Sequence, residues 1–402
     1  MGVPSFPPVF PVDAEALLPD LIALRRSLHA DPEIGLHLPR TQQKVLDALA
    51  GLPLEITTGS RTSSIVAVLR GAVPGPVVLL RGDMDALPIQ EETGVEYASI
   101  NGAMHACGHD LHTAGLVGAA RLLSACRDRL HGSVIFMFQP GEEGYDGARI
   151  MLDEGLLDAA GERPSAAYAI HVAPGPRGVF ATRPGTATAG SNQLHVTVTG
   201  RGGHGAQPHQ TLDPVTVAAE IVLALQSFVT RRFDVFDPVV LSVTCLDTGD
   251  GAINVIPDQT RLAATVRTMS ATSLAVLQEG LPRLVKGIAA AHGLDAEVEF
   301  TVMYPATLND PAETARTLTT LRQTFGAQRV QTAPAPTMGS EDFAHVLDEI
   351  PGTFFGLLAS PPGIDPRRTE WNHSPRVVFD DAVLADQAAA LASLAFARTR
   401  TS

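Results

Sequence analysis

The sequence predicts an α/β fold: a mostly parallel sheet buried under helices, with a smaller α/β unit inserted into it. Three observations predict it. Short Val/Ile/Leu/Phe runs bounded by Gly and Pro recur at SSIVAVLRG, PVVLLRGDMDALP, HGSVIFMFQPGEEG, AAYAIHVAP and GTFFGLLAS. That is the texture of strands covered on both faces. Helical stretches such as TAGLVGAARLLSACRDRL alternate with them, as a parallel sheet requires. From about residue 187 the strands turn half-exposed, and buried-strand texture later resumes.

The elements follow in order. AEALLPDLIALRRSLHA carries apolar residues at helical spacing and is broken by Asp31-Pro32. TQQKVLDALAGL reads as a second helix, and the first four apolar runs as core strands. Within the insertion, NQLHVTVTG alternates like a half-exposed strand and DPVTVAAEIVLALQSFV is helical. DPVVLSVTCLD and TRLAATVRT are strands, SATSLAVLQEGLPRLVKGIAAAHG is a long helix, and DAEVEFTVMYP is a closing strand. This βαββαβ order fits one sheet covered on one side by two helices, a ferredoxin-like arrangement. The expected division is 13–185, an inserted 186–302, and 303–402.

Composition limits the functions available. The 402 residues are 45% apolar and 18% charged, ordinary globular values. The net charge of −14, with only Lys44 and Lys286 as lysines, argues against a nucleic-acid or anionic-membrane partner, because phosphates demand clustered cations. Three cysteines, Cys107, Cys126 and Cys245, do not make a disulfide framework. The start, MGVPSFPPVFPVDAE, does not read as a signal peptide, and no run of 18 or more apolar residues occurs. A cytoplasmic protein is expected.

Ligand-type residues end the apolar runs. PVVLL leads into Asp83 and Asp85, SVIFMF into Glu142 and Glu143, and AYAI into His171. In open α/β sheets, sites form outside the carboxyl ends of the strands. MHACGHDLH adds Cys107 and His109 two residues apart, and a late Asn372-His373-Ser374-Pro375 adds another imidazole. Thiolate, imidazole and carboxylate suit Zn²⁺ or a related divalent ion. Plainer readings stand beside this one: a buried small cysteine, a solvated glutamate pair, aspartates capping a turn. A Cys–His nucleophile is a rival account of Cys107, although it needs neither Glu142-Glu143 nor His171 nor His373.

The ordered motifs RRSLHADPEIG, GDMDALP, MHACGHDLHTA, FQPGEEG, GGHGAQPH, NVIPD, MGSEDFA and NHSP, spanning about residues 22 to 382, resemble the M20 metallopeptidase family. More narrowly, they resemble its M20D amidohydrolases: hippurate hydrolases, N-acyl-amino-acid amidohydrolases (aminoacylases) and auxin-conjugate hydrolases. The resemblance implies a zinc-peptidase-like catalytic domain with an inserted lid or dimerisation domain. It implies Cys107, His109, Glu143, His171 and His373 as ligands to two divalent ions (Zn²⁺, Mn²⁺, Co²⁺ or Ni²⁺), with Cys107 bridging where many relatives have an aspartate. Glu142 matches the general base. A metal-bound carboxylate is a poor proton acceptor, so the base must be a separate group. His204 matches a histidine that reaches the oxyanion from a partner subunit in a homodimer. Asn254 and Arg267 match lid residues on the substrate's carboxylate side.

The chain also departs from that pattern. Relatives with an H-x-D motif place a metal-binding histidine where this chain has Asp83, and Asp85 is expected to orient a ligand. GLHLPRT stands where relatives often have an acidic residue before the Arg-Thr. His105 and His112 flank the ligands, and Asp110 is a candidate to orient an imidazole. Gly339–Phe343 matches a loop near the site. The implied activity is release of an acyl or aroyl group from a small N-acyl amino acid. A dipeptidase or carboxypeptidase, and a metal-stabilised binding protein without catalysis, are the alternatives.

Overall fold

The computed structural model describes residues 10–249, 251–365 and 368–400. The described residues divide into two compact units. One takes in the chain up to Ala187, Leu308–Pro336 and the residues from Asp342 onward; the other takes in Thr188–Thr307 and Thr337–Glu341.

The first unit is built on an eight-stranded sheet. Its spatial order is Leu54–Thr58, Ile65–Arg70, His131–Gln139, Val73–Asp83, Ala166–Ala173, Gly352–Leu358, Phe180–Thr182, Val330–Thr332. The central four, from His131–Gln139 to Gly352–Leu358, are parallel. Leu54–Thr58 and Ile65–Arg70 join antiparallel at one side. At the other side Phe180–Thr182 runs antiparallel to Gly352–Leu358 and parallel to Val330–Thr332. The short outer strands Leu54–Thr58, Phe180–Thr182 and Val330–Thr332 were not anticipated. They lack the long Val/Ile/Leu runs that mark central strands.

Alternate residues of the central strands feed two separate cores. Val78, Leu80, Phe136, Phe138 and Ile170 pack with helices Phe10–His29, His109–Ala125 and Val383–Arg398. Val77, Leu79, Ile135, Met137 and Ala169 pack with Gly147–Asp153 and Ala344–Glu349 on the other face. Both faces are therefore covered, which explains the unbroken apolar runs.

Helix His109–Ala125 starts four residues before the TAGLVGAAR stretch expected of it, because Gly108 at φ +90° provides its N-terminal turn. A Cβ on Gly108 would lie 2.3 Å from Val172 Cγ2. Helix Val383–Arg398, rich in alanine, was not anticipated. Its small side chains let it sit close to His109–Ala125: a Cβ on Gly118 would come within 2.7 Å of Ala388 Cβ.

The second unit is a four-stranded antiparallel sheet in the order Val240–Asp247, Gln259–Thr268, Gly190–Thr199, Asp295–Tyr304. Helices Pro214–Arg232 and Ala271–Ala291 cover the face bearing Leu194, Val196, Val198, Leu262 and Val266. Asp213 and Ser270 cap the two helices by accepting from the backbone N–H of Val215 and Ser273. Pro214–Arg232 is long and apolar enough to cross a membrane by length and composition. In the structure it buries Val217, Ala218, Ile221 and Leu225 against this sheet.

Ala388→Leu, which forces a larger side chain against Gly118, is expected to cost about 1–3 kcal/mol of stability, read as a lower urea midpoint.

Candidate metal centre

Register brings the site together. Parallel pairing sets Asp83 beside Gln139 and Arg81 beside Ala169, so three chains leave the sheet at one edge. Asp85 follows the first strand, Glu142 and Glu143 follow the second, and His171 lies near the end of the third. The Asp85 carboxylate accepts the backbone N–H groups of Glu142 and of Glu143, each at 3.0 Å. One buried aspartate thus fixes the turn carrying both glutamates.

Five expected ligands converge. Cys107 Sγ lies 3.3 Å from His171 Nε2 and 3.3 Å from His373 Nε2. His373 Nε2 is 3.2 Å from Glu143 Oε1, and His109 Nε2 is 3.9 Å from the same oxygen. Cys107, His109 and His171 offer ligand atoms within 4.8 Å of one another, as do Cys107, Glu143 and His373, and His109, Glu142 and Glu143. The cluster is buried except at His373, whose side chain is 52% exposed. His373 takes φ +72°, an uncommon conformation for a residue with a Cβ, while its N–H donates to Ala106 O. Beside it Asn372 Nδ2 donates to the carbonyls of Cys107 (3.2 Å) and Val172 (3.1 Å). Nothing local in the sequence marks Asn372 for this role, because both carbonyls come from distant segments.

Hydrogen bonds fix the imidazole tautomers. A carbonyl only accepts, so His109 Nδ1–H donates to Asp85 O (2.9 Å) and His171 Nδ1–H to Val172 O (2.8 Å). Both rings thereby present Nε2 to the cluster. His109 Nε2 is buried with no hydrogen-bond partner, and Glu143 Oε1 meets only the His373 ring, at 3.2 Å. A buried polar atom without a partner costs about 1–3 kcal/mol. These donor atoms, beside a thiolate and two further imidazoles, fit a divalent cation.

The electrostatics agree. Burial pushes the Cys107 thiol up, but His171, His109 and His373 outweigh it and hold the pKa well below the usual thiol value. Against the cost of burial, Cys107 raises His171 to about 9. Hydrogen bonding to Cys107 and Glu143 raises His373 to about 10. Burial, with Cys107 nearby, raises Glu143 despite His373. Protons and a cation compete for these same atoms.

The remaining sequence candidates separate. Asp83 is fully buried, accepting from Arg81 Nη1 (2.5 Å) and His112 Nδ1 (2.6 Å). Asp110 serves an imidazole outside the cluster, accepting from His29 Nδ1 and Arg25 Nε, both at 2.7 Å. His105 is buried and its ring nitrogens find no hydrogen-bond partner among the described residues.

His204, Asn254 and Arg267 belong to the second unit. His204 and Asn254 are close: Val255 pairs with His204, and Gly205 N–H donates to Asn254 O at 2.7 Å. Arg267 is elsewhere. Strand Gln259–Thr268 pairs without interruption from Gln259 opposite Thr199 to Arg267 opposite Ser191. His204 and Asn254 adjoin the Gln259 end. At about 3.3 Å per residue, the eight steps to Arg267 span roughly 26 Å. Asn254 and Arg267 therefore sit toward opposite ends of one sheet. Arg267 is half-buried, donates to Ser191 Oγ and Thr265 Oγ1 (both 2.9 Å), and has no carboxylate at ion-pair distance among the described residues.

A buried thiolate, imidazole and carboxylate cluster at the carboxyl edge of an α/β sheet, with a second glutamate alongside, has the donor set of a hydrolytic metal centre. The chain belongs to peptidase family M20/M25/M40, matched over residues 79–397. It is 35% identical over 384 residues to thermostable carboxypeptidase 1 of Saccharolobus solfataricus, covering 93% of this chain and 94% of that one. It is 41% identical over 294 residues to an N-acyl-L-amino acid amidohydrolase of Geobacillus stearothermophilus, covering 72% and 78%. A solved Bacillus subtilis structure, described as a dinuclear metal-binding peptidase from the M20 family, superposes with TM-score 0.81 at 32% identity over 96% of this chain and 100% of that one. The protein is an amidohydrolase, an enzyme of amide C–N bonds.

Asp85→Ala strands the buried N–H groups of Glu142 and Glu143. It is expected to cost about 2 kcal/mol or more of stability and at least tenfold in activity, checked by calorimetry and by amine release.

Proposed function

We propose that this enzyme removes an acyl or aroyl group from the nitrogen of a small amino-acid substrate, with water as nucleophile and two divalent cations as cofactors. The observation that carries this is the Glu142-Glu143 pair. Both backbones are tied to Asp85, and Glu143 faces the thiolate–imidazole cluster. Binding alone needs no second carboxylate there. Cys107, His109, Glu143, His171 and His373 would hold the cations, with Zn²⁺, Mn²⁺, Co²⁺ and Ni²⁺ all suited to the donor set. Bound there, the cations would polarise the scissile carbonyl and lower the pKa of water towards about 7.

The protein's own groups do the rest. Glu142 takes the proton that water loses as it attacks the amide carbon, and returns it to the departing nitrogen. His204 donates a hydrogen bond to the developing oxyanion, a contact worth about 3–4 kcal/mol in such sites. Arg267, with only neutral partners among the described residues, takes the substrate's carboxylate through its planar fork. The insertion acts as lid and dimerisation domain. The roughly 26 Å along strand Gln259–Thr268 supports supply of His204 and Asn254 by a second subunit and of Arg267 by the first. Cys107 as nucleophile is disfavoured, since three imidazoles rather than one surround its sulfur.

A carboxypeptidase reading has one specific support, the 35% identical relative of that name. Both substrate classes offer an amide beside a free carboxylate. Amine release from parallel panels of N-acyl amino acids and dipeptides separates them, the proposal requiring faster turnover of the former.

Glu142→Gln is expected to retain its metal content and lose about 10²–10⁴-fold in kcat; near-normal turnover removes Glu142 as the base. Mixing inactive Glu142→Gln and His204→Ala subunits is expected to restore activity, because one site per mixed dimer then has an intact base and an intact partner histidine. Mixed dimers without activity place His204 in cis or outside the reaction.

A further inference from the structure

Asp83 occupies the position where H-x-D relatives carry a ligand, yet each of its oxygens already has a short partner. One oxygen accepts from Arg81 Nη1 at 2.5 Å and the other from His112 Nδ1 at 2.6 Å. Arg81 is itself 1% exposed and also donates to Gln139 Oε1 (2.8 Å) and Asp342 Oδ1 (3.2 Å). A carboxylate bound to a buried guanidinium has little charge left for a cation. Asp83 Oδ2 also stands 3.6 Å from His109 Nε2, outside hydrogen-bond distance.

The imidazole of His112 continues the chain. Val172 N–H donates to His112 Nε2 at 2.8 Å. That nitrogen therefore carries no proton, and Nδ1–H donates to Asp83. Val172 in turn offers its carbonyl to His171 Nδ1–H (2.8 Å) and to Asn372 Nδ2 (3.1 Å). The ring of His112 lies 4.7 Å from that of His171, centroid to centroid. Both peptide groups of Val172 are thus held, one by His112 and the other by His171 and Asn372. The strand end cannot rotate without breaking a buried hydrogen bond.

We propose that Asp83 and His112 are a positioning pair that acts through the Val172 backbone to aim His171 Nε2 at its cation, and that neither is a ligand. Arg81 sets the orientation of Asp83, which selects the His112 tautomer. That tautomer holds Val172, and Val172 occupies His171 Nδ1. The inference rests on the two-cation reading above.

The test is metal binding, not turnover. Apoprotein is titrated with Co²⁺ against a chelator of known affinity while the visible d–d and thiolate charge-transfer bands are recorded. Wild type is expected to take up two equivalents; no uptake overturns the two-cation reading and this inference together. His112→Phe, which fills the space but makes neither hydrogen bond, is expected to weaken one of the two sites about 10–100-fold, as loss of an outer partner does, and to change its bands. His112→Gln, whose amide both donates and accepts, is expected to restore the affinity to within a few-fold of wild type. Wild-type affinity and bands in His112→Phe overturn the positioning role. Should His112→Phe not fold, Asp83→Asn serves: weakening of one site supports the pair, whereas loss of a whole equivalent makes Asp83 a ligand and overturns the proposal.

Discussion

The site depends on one carboxylate. Asp85 accepts the backbone N–H groups of Glu142 and Glu143, and its own carbonyl accepts from His109 Nδ1. Segments after two neighbouring parallel strands and the first residue of helix His109–Ala125 are thereby tied at a single residue. With it the backbone of the turn is set, and the two side chains leave from fixed points.

Around that residue several buried charges are paired. Arg81 answers Asp83 and Asp342. Arg25 and His29 answer Asp110, with Glu91 on the far side of His29. Removing one member would leave an isolated buried charge, a far larger penalty than the pair's net stabilisation. Such groups act as rigid supports. At the cluster itself, His109 Nε2 is buried without a hydrogen-bond partner.

The second unit obeys a different constraint. Its sheet is covered by helices on one face, so its strands alternate and its register is fixed by the apolar side. That rigidity spaces His204 and Asn254 from Arg267 along an unbroken strand.

The sequence by itself determined the types of the longer, strongly patterned elements of both units, because apolar periodicity and Gly/Pro punctuation are local signals. The insertion was legible for the same reason: its strands alternate where the core strands do not. Candidate ligands were legible where a His or Glu followed an apolar strand, as at Glu142-Glu143 and His171. Short edge strands such as Phe180–Thr182 and the alanine-rich helix Val383–Arg398 were not, since small residues have meaning only against a partner such as Gly118. Asn372, Arg81 and the Asp83–His112 pair needed the tertiary structure too. Their roles are hydrogen bonds between segments far apart in sequence, and nothing in a residue's neighbours along the chain records which distant carbonyl or carboxylate it will meet.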